Sequence, residues 1–162
     1  MRIILTIFIF LISSGTLFSQ LIYKFDIAAD VSGCSNVSLQ KISKNRQYEL
    51  IIEINHIDSL PISKEFDLAK YSNCVSIYLN KYPKGNKYIR QICDDVLIIN
   101  KKVYKPDRFI AKEGKIIISQ WNGKDFVISL SINNASLKDK LGKQLKLPFE
   151  QFRQITVGWE GG

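Results

Sequence analysis

The stretch from Lys115 to Leu130 limits the fold more than any other. Lys115-Ile116-Ile117-Ile118-Ser119-Gln120-Trp121 and Lys124-Asp125-Phe126-Val127-Ile128-Ser129-Leu130 are two runs rich in branched and aromatic side chains, and only Asn122-Gly123 separates them. A two-residue type I′ turn needs φ > 0 at both central positions, which Asn and Gly accept at low cost, and its twist matches that of the flanking strands. The pattern predicts a tight hairpin in which Trp121 faces Lys124 and Ile117 faces Ile128. Apolar groups fall on both faces of the pair, which places it in the middle of a sheet.

The rest of the chain repeats this grammar. Tyr23, Phe25 and Ile27 alternate with Lys24 and Asp26, the period of a half-buried strand, within a run from Leu21 to Val31. Gln47 to Asn55 is a second strand, with the adjacent Leu50, Ile51 and Ile52 suggesting burial on both faces. Val96-Leu97-Ile98-Ile99 and Ile155-Thr156-Val157-Gly158-Trp159 are further strands, and Leu145-Lys146-Leu147 is one that Pro148 ends. Ser63 to Tyr71 holds the single credible helical turn. The chain has 25 isoleucines and only five alanines, which favours strands over helices. About nine or ten short strands joined by tight turns read as an all-β, antiparallel β-sandwich, with a calycin-like β-barrel as the alternative.

The N-terminus reads as a secretory signal peptide. Arg2 is followed by the uncharged run Ile3–Ile12, nine of whose ten residues are apolar, then by Ser13-Ser14-Gly15-Thr16 and the small-residue exit Phe18-Ser19-Gln20. Cleavage is expected after Ser19, with Gly15 as the second choice. A retained anchor is the competing reading, weakened by the serines and glycine in the stretch. Residues 1–19 are thus the signal and 20–162 a single domain. Loss of the signal removes only Arg2 from the charged set and lowers the net charge from +8 to +7.

Export admits disulfides, and three cysteines allow at most one internal bridge. Asn73 to Lys81 reads as one strand, Tyr82-Pro83-Lys84-Gly85 as a turn, and Tyr88-Ile89-Arg90-Gln91-Ile92 as the return strand. In that register Lys81 faces Asn86, and Cys74 falls directly opposite Cys93. Cross-strand opposites bring Cβ atoms within about 5.5 Å, close to bridging distance. A Cys74–Cys93 disulfide is expected, with two buried free thiols as the alternative and Cys34 as the odd cysteine.

The chain offers little to catalysis. Its lone histidine, His56, follows a strand, and there is no Cys-x-x-Cys, no Gly-x-Ser-x-Gly elbow and no glycine-rich phosphate loop. Asp94-Asp95 point to opposite faces of a strand and cannot act as one acid–base pair. No enzyme, metal or cofactor is expected. Lysines dominate the basic excess and favour an anionic partner; export argues against nucleic acid, and cleavage against stable membrane insertion. Lys81 to Tyr88 gathers aromatics and cations at one hairpin tip. Tyr82, Lys84, Lys87 and Tyr88 are the candidate ligand-binding residues, since tyrosine rings stack on sugars and lysines reach anions.

The Ser-Gln exit and the Ile/Lys/Asn-rich β pattern resemble small exported proteins of Gram-negative bacteria, a likeness that covers no specific motif. The expectation is an exported, non-catalytic binding module of the cell envelope, periplasmic or secreted, with a glycan or protein ligand. An inhibitor or immunity protein against a toxin or hydrolase is the alternative.

Overall fold

The computed structural model describes residues 19–20, 31–34, 37–83 and 105–157. They form an all-β, antiparallel sheet curled into a half-barrel. The strands are β1 (Ser19–Gln20), β2 (Val31–Cys34), β3 (Ser38–Ile42), β4 (Tyr48–Ile54), β5 (Glu65–Asp67), β6 (Val75–Lys81), β7 (Asp107–Asn122), β8 (Val127–Lys138) and β9 (Gln144–Thr156). Their order across the sheet is β1-β9-β8-β7-β6-β4-β3-β2, with β5 also paired to β7. Only β1 runs parallel to its neighbour. All the described strands therefore belong to one sheet, where two facing sheets had been expected. The described helical structure consists of two short 3-10 turns, Ile57–Ser59 and Leu68–Tyr71. The second ends where the sequence placed a helical turn.

Strand length explains the single sheet. β7, β8 and β9 run for 16, 12 and 13 residues, so segments that read as separate short strands are continuous. Lys112-Glu113-Gly114 lies inside β7. There the β7–β8 pairing shifts between Ala111 and Glu113 and again between Glu113 and Lys115. Such bulges absorb an extra residue and increase local bend and twist, which curls a long sheet without cutting it. Gly114 has φ +149°, and a Cβ there would stand 3.0 Å from the Ala135 Cα. Pro148 likewise interrupts nothing. It sits in β9 between the pairs Asn133–Phe149 and Ala135–Leu147, opposite Asn134, whose φ is +50°. A proline without an N–H is tolerated where the ladder is already irregular.

The Asn122-Gly123 turn is also different from expectation. Trp121 pairs with Ile128 and Asn122 with Val127, so the loop holds the four residues 123–126. The Asn122 side-chain oxygen accepts from the Lys124 and Asp125 amides at 3.0 and 3.3 Å, and Phe126 takes the positive φ of 50°. The side-chain-stabilised turn replaces the type I′ geometry and shifts the register by four residues at Trp121.

The inner face of the curl holds the core. Leu39, Leu50, Ile52, Ile77, Leu79, Ile118, Ile128 and Ile132 are wholly buried, with Phe109 and Phe152 filling the largest volumes. In β4 the alternation is clean: Leu50, Ile52 and Ile54 point inward, while Ile51 on the outer face is half-buried. Two charged residues share the inner face. Lys41, next to Leu39 in its strand's alternation, reaches across to Glu150 of β9 with Nζ 2.6 Å from Oε2. Lys41 also lies over the Phe152 ring at 5.6 Å. The curl thus brings β3 against β9, and β2 also approaches β9.

Candidate functional site

Part of the outer face of β3, β4 and β6 is buried as well, and there it carries polar side chains. Gln40, Glu49 and Asn80 expose 2–3% of their surface. Strand alternation and register bring them together: Ile42 pairs with Glu49, and Glu49 with Asn80. Directly opposed residues share a face, so the three polar groups converge.

Glu49 is the hub. Its Oε1 accepts from Gln40 Nε2 at 2.6 Å, and its Oε2 accepts from Asn80 Nδ2 and from the Tyr82 hydroxyl, each at 2.8 Å. The Asn80 carbonyl oxygen in turn accepts from Arg108 Nε at 2.9 Å. Hydrogen bonds to an ionised carboxylate are the strong ones, and a buried carboxylate needs its oxygens occupied. The chain Arg108–Asn80–Glu49 passes a positive charge at the surface to a negative one beneath it through an amide dipole.

Arg108 is exposed, and its guanidinium lies over the Tyr78 ring at 5.1 Å. Nε is held by Asn80, and the two terminal nitrogens have no partner among the described residues. A planar guanidinium fixed at one edge and backed by an aromatic ring is prepared to grip a carboxylate, sulfate or phosphate with two parallel hydrogen bonds. The sequence reading missed Arg108. It follows Lys105-Pro106-Asp107, which reads as a strand break, and only the β6–β7 pairing Asn80–Arg108 sets it beside the hub.

Of the residues singled out in the sequence, Tyr82 is half-buried, where a mostly exposed ring had been expected. Its hydroxyl is committed to Glu49, and its amide donates to the Gln47 carbonyl at 2.8 Å. Lys84, Lys87 and Tyr88 lie outside the described residues. The expected return strand Tyr88–Ile92 lies outside the described residues too. Tyr78–Lys81 is flanked by β4 on one side and β7 on the other, with Lys81 facing Tyr48 and Asp107. Cys74 is buried with a free thiol, and no disulfide is seen among the described residues; Cys93 lies outside them, as do Asp94, Asp95 and Trp159. His56 is exposed at the end of β4 in a left-handed conformation, away from the hub. Among the described residues, no group of three His, Cys, Asp or Glu side chains is placed to hold a metal ion.

No protein-family model matches the chain, and no curated protein or solved structure is significantly similar to it.

Proposed function

We propose that this chain is an exported, non-catalytic binding domain of the bacterial cell envelope that takes an acidic glycan. The observation behind this reading is the Arg108 guanidinium, pinned at Nε by Asn80 and backed by Tyr78, with its terminal nitrogens without a partner among the described residues. Tyr82 is linked to it through Glu49 and Asn80 and leads into Lys84, Lys87 and Tyr88, the remaining residues proposed to contact the ligand. A uronate or sulfate group would sit on Arg108, with the sugar ring against the tyrosines. The buried hub beneath gives the surface groups fixed positions, so little ordering entropy is lost on binding. Signal cleavage after Ser19 would deliver the domain to the periplasm or beyond.

A glycan array comparing uronic-acid and sulfated sugars with neutral ones tests the reading. Wild type should favour the acidic set, and Arg108→Ala should weaken binding at least tenfold, the scale of a lost charge-assisted hydrogen bond. Arg108→Lys should restore little, because an ammonium cannot grip two oxygens in a plane. Equal binding of acidic and neutral sugars, or an unaffected Arg108→Ala, would turn the search to protein partners and the inhibitor alternative. Mass spectrometry of exported protein checks the mature N-terminus at Gln20.

A further inference from the structure

The β8–β9 hairpin carries a second surface feature, remote in sequence from the Glu49 hub. Leu141 at its tip is 84% exposed, the most exposed large hydrophobic side chain described. Lys138, Lys140 and Lys143 surround it, all exposed. The tip is firmly built. Asp139 Oδ1 accepts from the amides of Leu141 at 2.9 Å and Lys143 at 2.8 Å, and the Asp139 amide donates to the Lys143 carbonyl at 3.0 Å. Gly142 supplies the positive φ of 82° that closes the turn. Leu141 is therefore held outward by hydrogen-bonded backbone. Ile110 stands opposite Lys138 on β7, is 37% exposed, and adds apolar surface beside the tip; Lys112 nearby is exposed as well.

The other end of the chain meets the sheet at the same place. Ser19 and Gln20 pair in parallel with Leu145 and Lys146, immediately after the tip. β1 runs in the direction of β9, so Ser19 lies on the tip side of Gln20. An apolar side chain ringed by long cations suits one kind of surface: the hydrocarbon takes the leucine, and the lysine heads rest among anionic headgroups.

We infer that the β8–β9 tip is a docking point for an anionic lipid bilayer, with Leu141 inserting at the headgroup boundary and Lys138, Lys140 and Lys143 contacting phosphates. The contact is peripheral and reversible. It does not depend on the acidic-glycan reading, which uses Arg108.

Flotation of the full chain with vesicles tests this, comparing 30% phosphatidylglycerol in phosphatidylethanolamine with pure phosphatidylcholine. The apolar N-terminal run is common to all samples, so the decisive quantity is the difference between the two vesicle types. Each lysine at an anionic surface contributes about a fivefold gain, so three of them give on the order of 100-fold, partly offset by Asp139. Wild type should bind the anionic vesicles at least tenfold better. Lys138→Gln/Lys140→Gln/Lys143→Gln should abolish the preference. Leu141→Trp should shift its added emission to shorter wavelength on anionic vesicles, read as a difference from the parent protein. All four positions are exposed, so the variants should fold. Equal binding to both vesicle types, a triple variant that keeps the preference, or a Leu141→Trp emission that does not move would each overturn the inference. Arg108 lies on the same face of β7 as Ile110, two residues away, so Arg108→Ala should lower vesicle binding by about fivefold at most and keep the preference for anionic vesicles while glycan binding is lost, which separates this contact from the glycan site.

Discussion

Replacing Lys41 by Met removes the cation from a buried pair that ties the two ends of the curled sheet together. The two side chains are each 7% exposed and lie 109 residues apart in sequence. Lys41 Nζ is 2.6 Å from Glu150 Oε2 and 3.5 Å from the Gln151 carbonyl. Removing one partner of such a pair leaves the other charge poorly compensated and costs about 3–5 kcal/mol. Met fills a similar volume, so packing against Phe152 changes little and the electrostatic loss dominates. For a domain whose whole stability is about 5–15 kcal/mol, that is a third or more of the total. Urea denaturation followed by tryptophan fluorescence should show a lower midpoint at unchanged slope. The double variant Lys41→Met/Glu150→Leu removes both charges and should recover most of the loss, since well-packed apolar replacements of buried pairs are often neutral or stabilising. The reasoning fails if Lys41→Met costs less than about 1 kcal/mol, the value of an exposed pair, or if the double variant is no better than the single.

Gly114→Ala should destabilise by about 1–3 kcal/mol by forcing a Cβ into positive φ, 3.0 Å from the Ala135 backbone, as thermal unfolding would show. Gly123→Ala should be nearly neutral, because Gly123 has no positive φ and its nearest neighbour, Trp121 Nε1, is 3.6 Å from the added Cβ; a large loss would restore the type I′ turn. Glu49→Gln should cost about 1–3 kcal/mol in denaturant titrations, since one amide oxygen cannot serve three donors and its NH2 must face at least one of them. The exposed Asp67 carboxyl is held below its ordinary value of 3.8, chiefly by a hydrogen bond from Lys115, whose ammonium is 2.8 Å away and is itself held above 10.5 by Asp67. The small stabilisation from this pair is thus complete between about pH 4 and 10. It fades as acid falls through the lowered Asp67 value or alkali rises through the raised Lys115 value. An NMR titration of the Asp67 carboxyl should therefore show a midpoint below 3.8, moving up in high salt.

Two of the strand readings fall on described residues and hold, while the alternating run Tyr23–Ile27 lies outside them. Gln47–Asn55 appears as Tyr48–Ile54 with Leu50 and Ile52 inward, and the runs on either side of Asn122-Gly123 are adjacent strands. What the pattern hid has three physical sources. Bulges let β7 continue, bent, through Lys112-Glu113-Gly114. The Asn122 side chain competes with the backbone for the turn amides, so the residue that favours type I′ instead builds a longer loop. Long-range pairing, finally, is invisible in a local pattern. Nothing between Cys74 and Cys93 reveals that Arg108, rather than a residue of the expected hairpin, lies beside Asn80.

The same limit explains why neither buried carboxylate was found. Gln40 and Lys41 are adjacent polar residues, and adjacent strand positions face opposite sides, so the ordinary reading puts one of them in water. Here both are buried, with Gln40 donating to Glu49 on the outer face and Lys41 to Glu150 on the inner. Their partners serve different ends. Glu150 is met by a cation inside the core, where the pair fixes how far the sheet curls. Glu49 is met by neutral donors, whose other ends reach the surface at Tyr82 and, through Asn80, at Arg108. A carboxylate paired with a cation inside the core would stabilise the sheet just as well without orienting an exposed guanidinium above it. The neutral intermediaries link the buried charge to the placement of an exposed guanidinium, and that linkage is why the ligand is proposed to sit over the outer hub and not the inner pair.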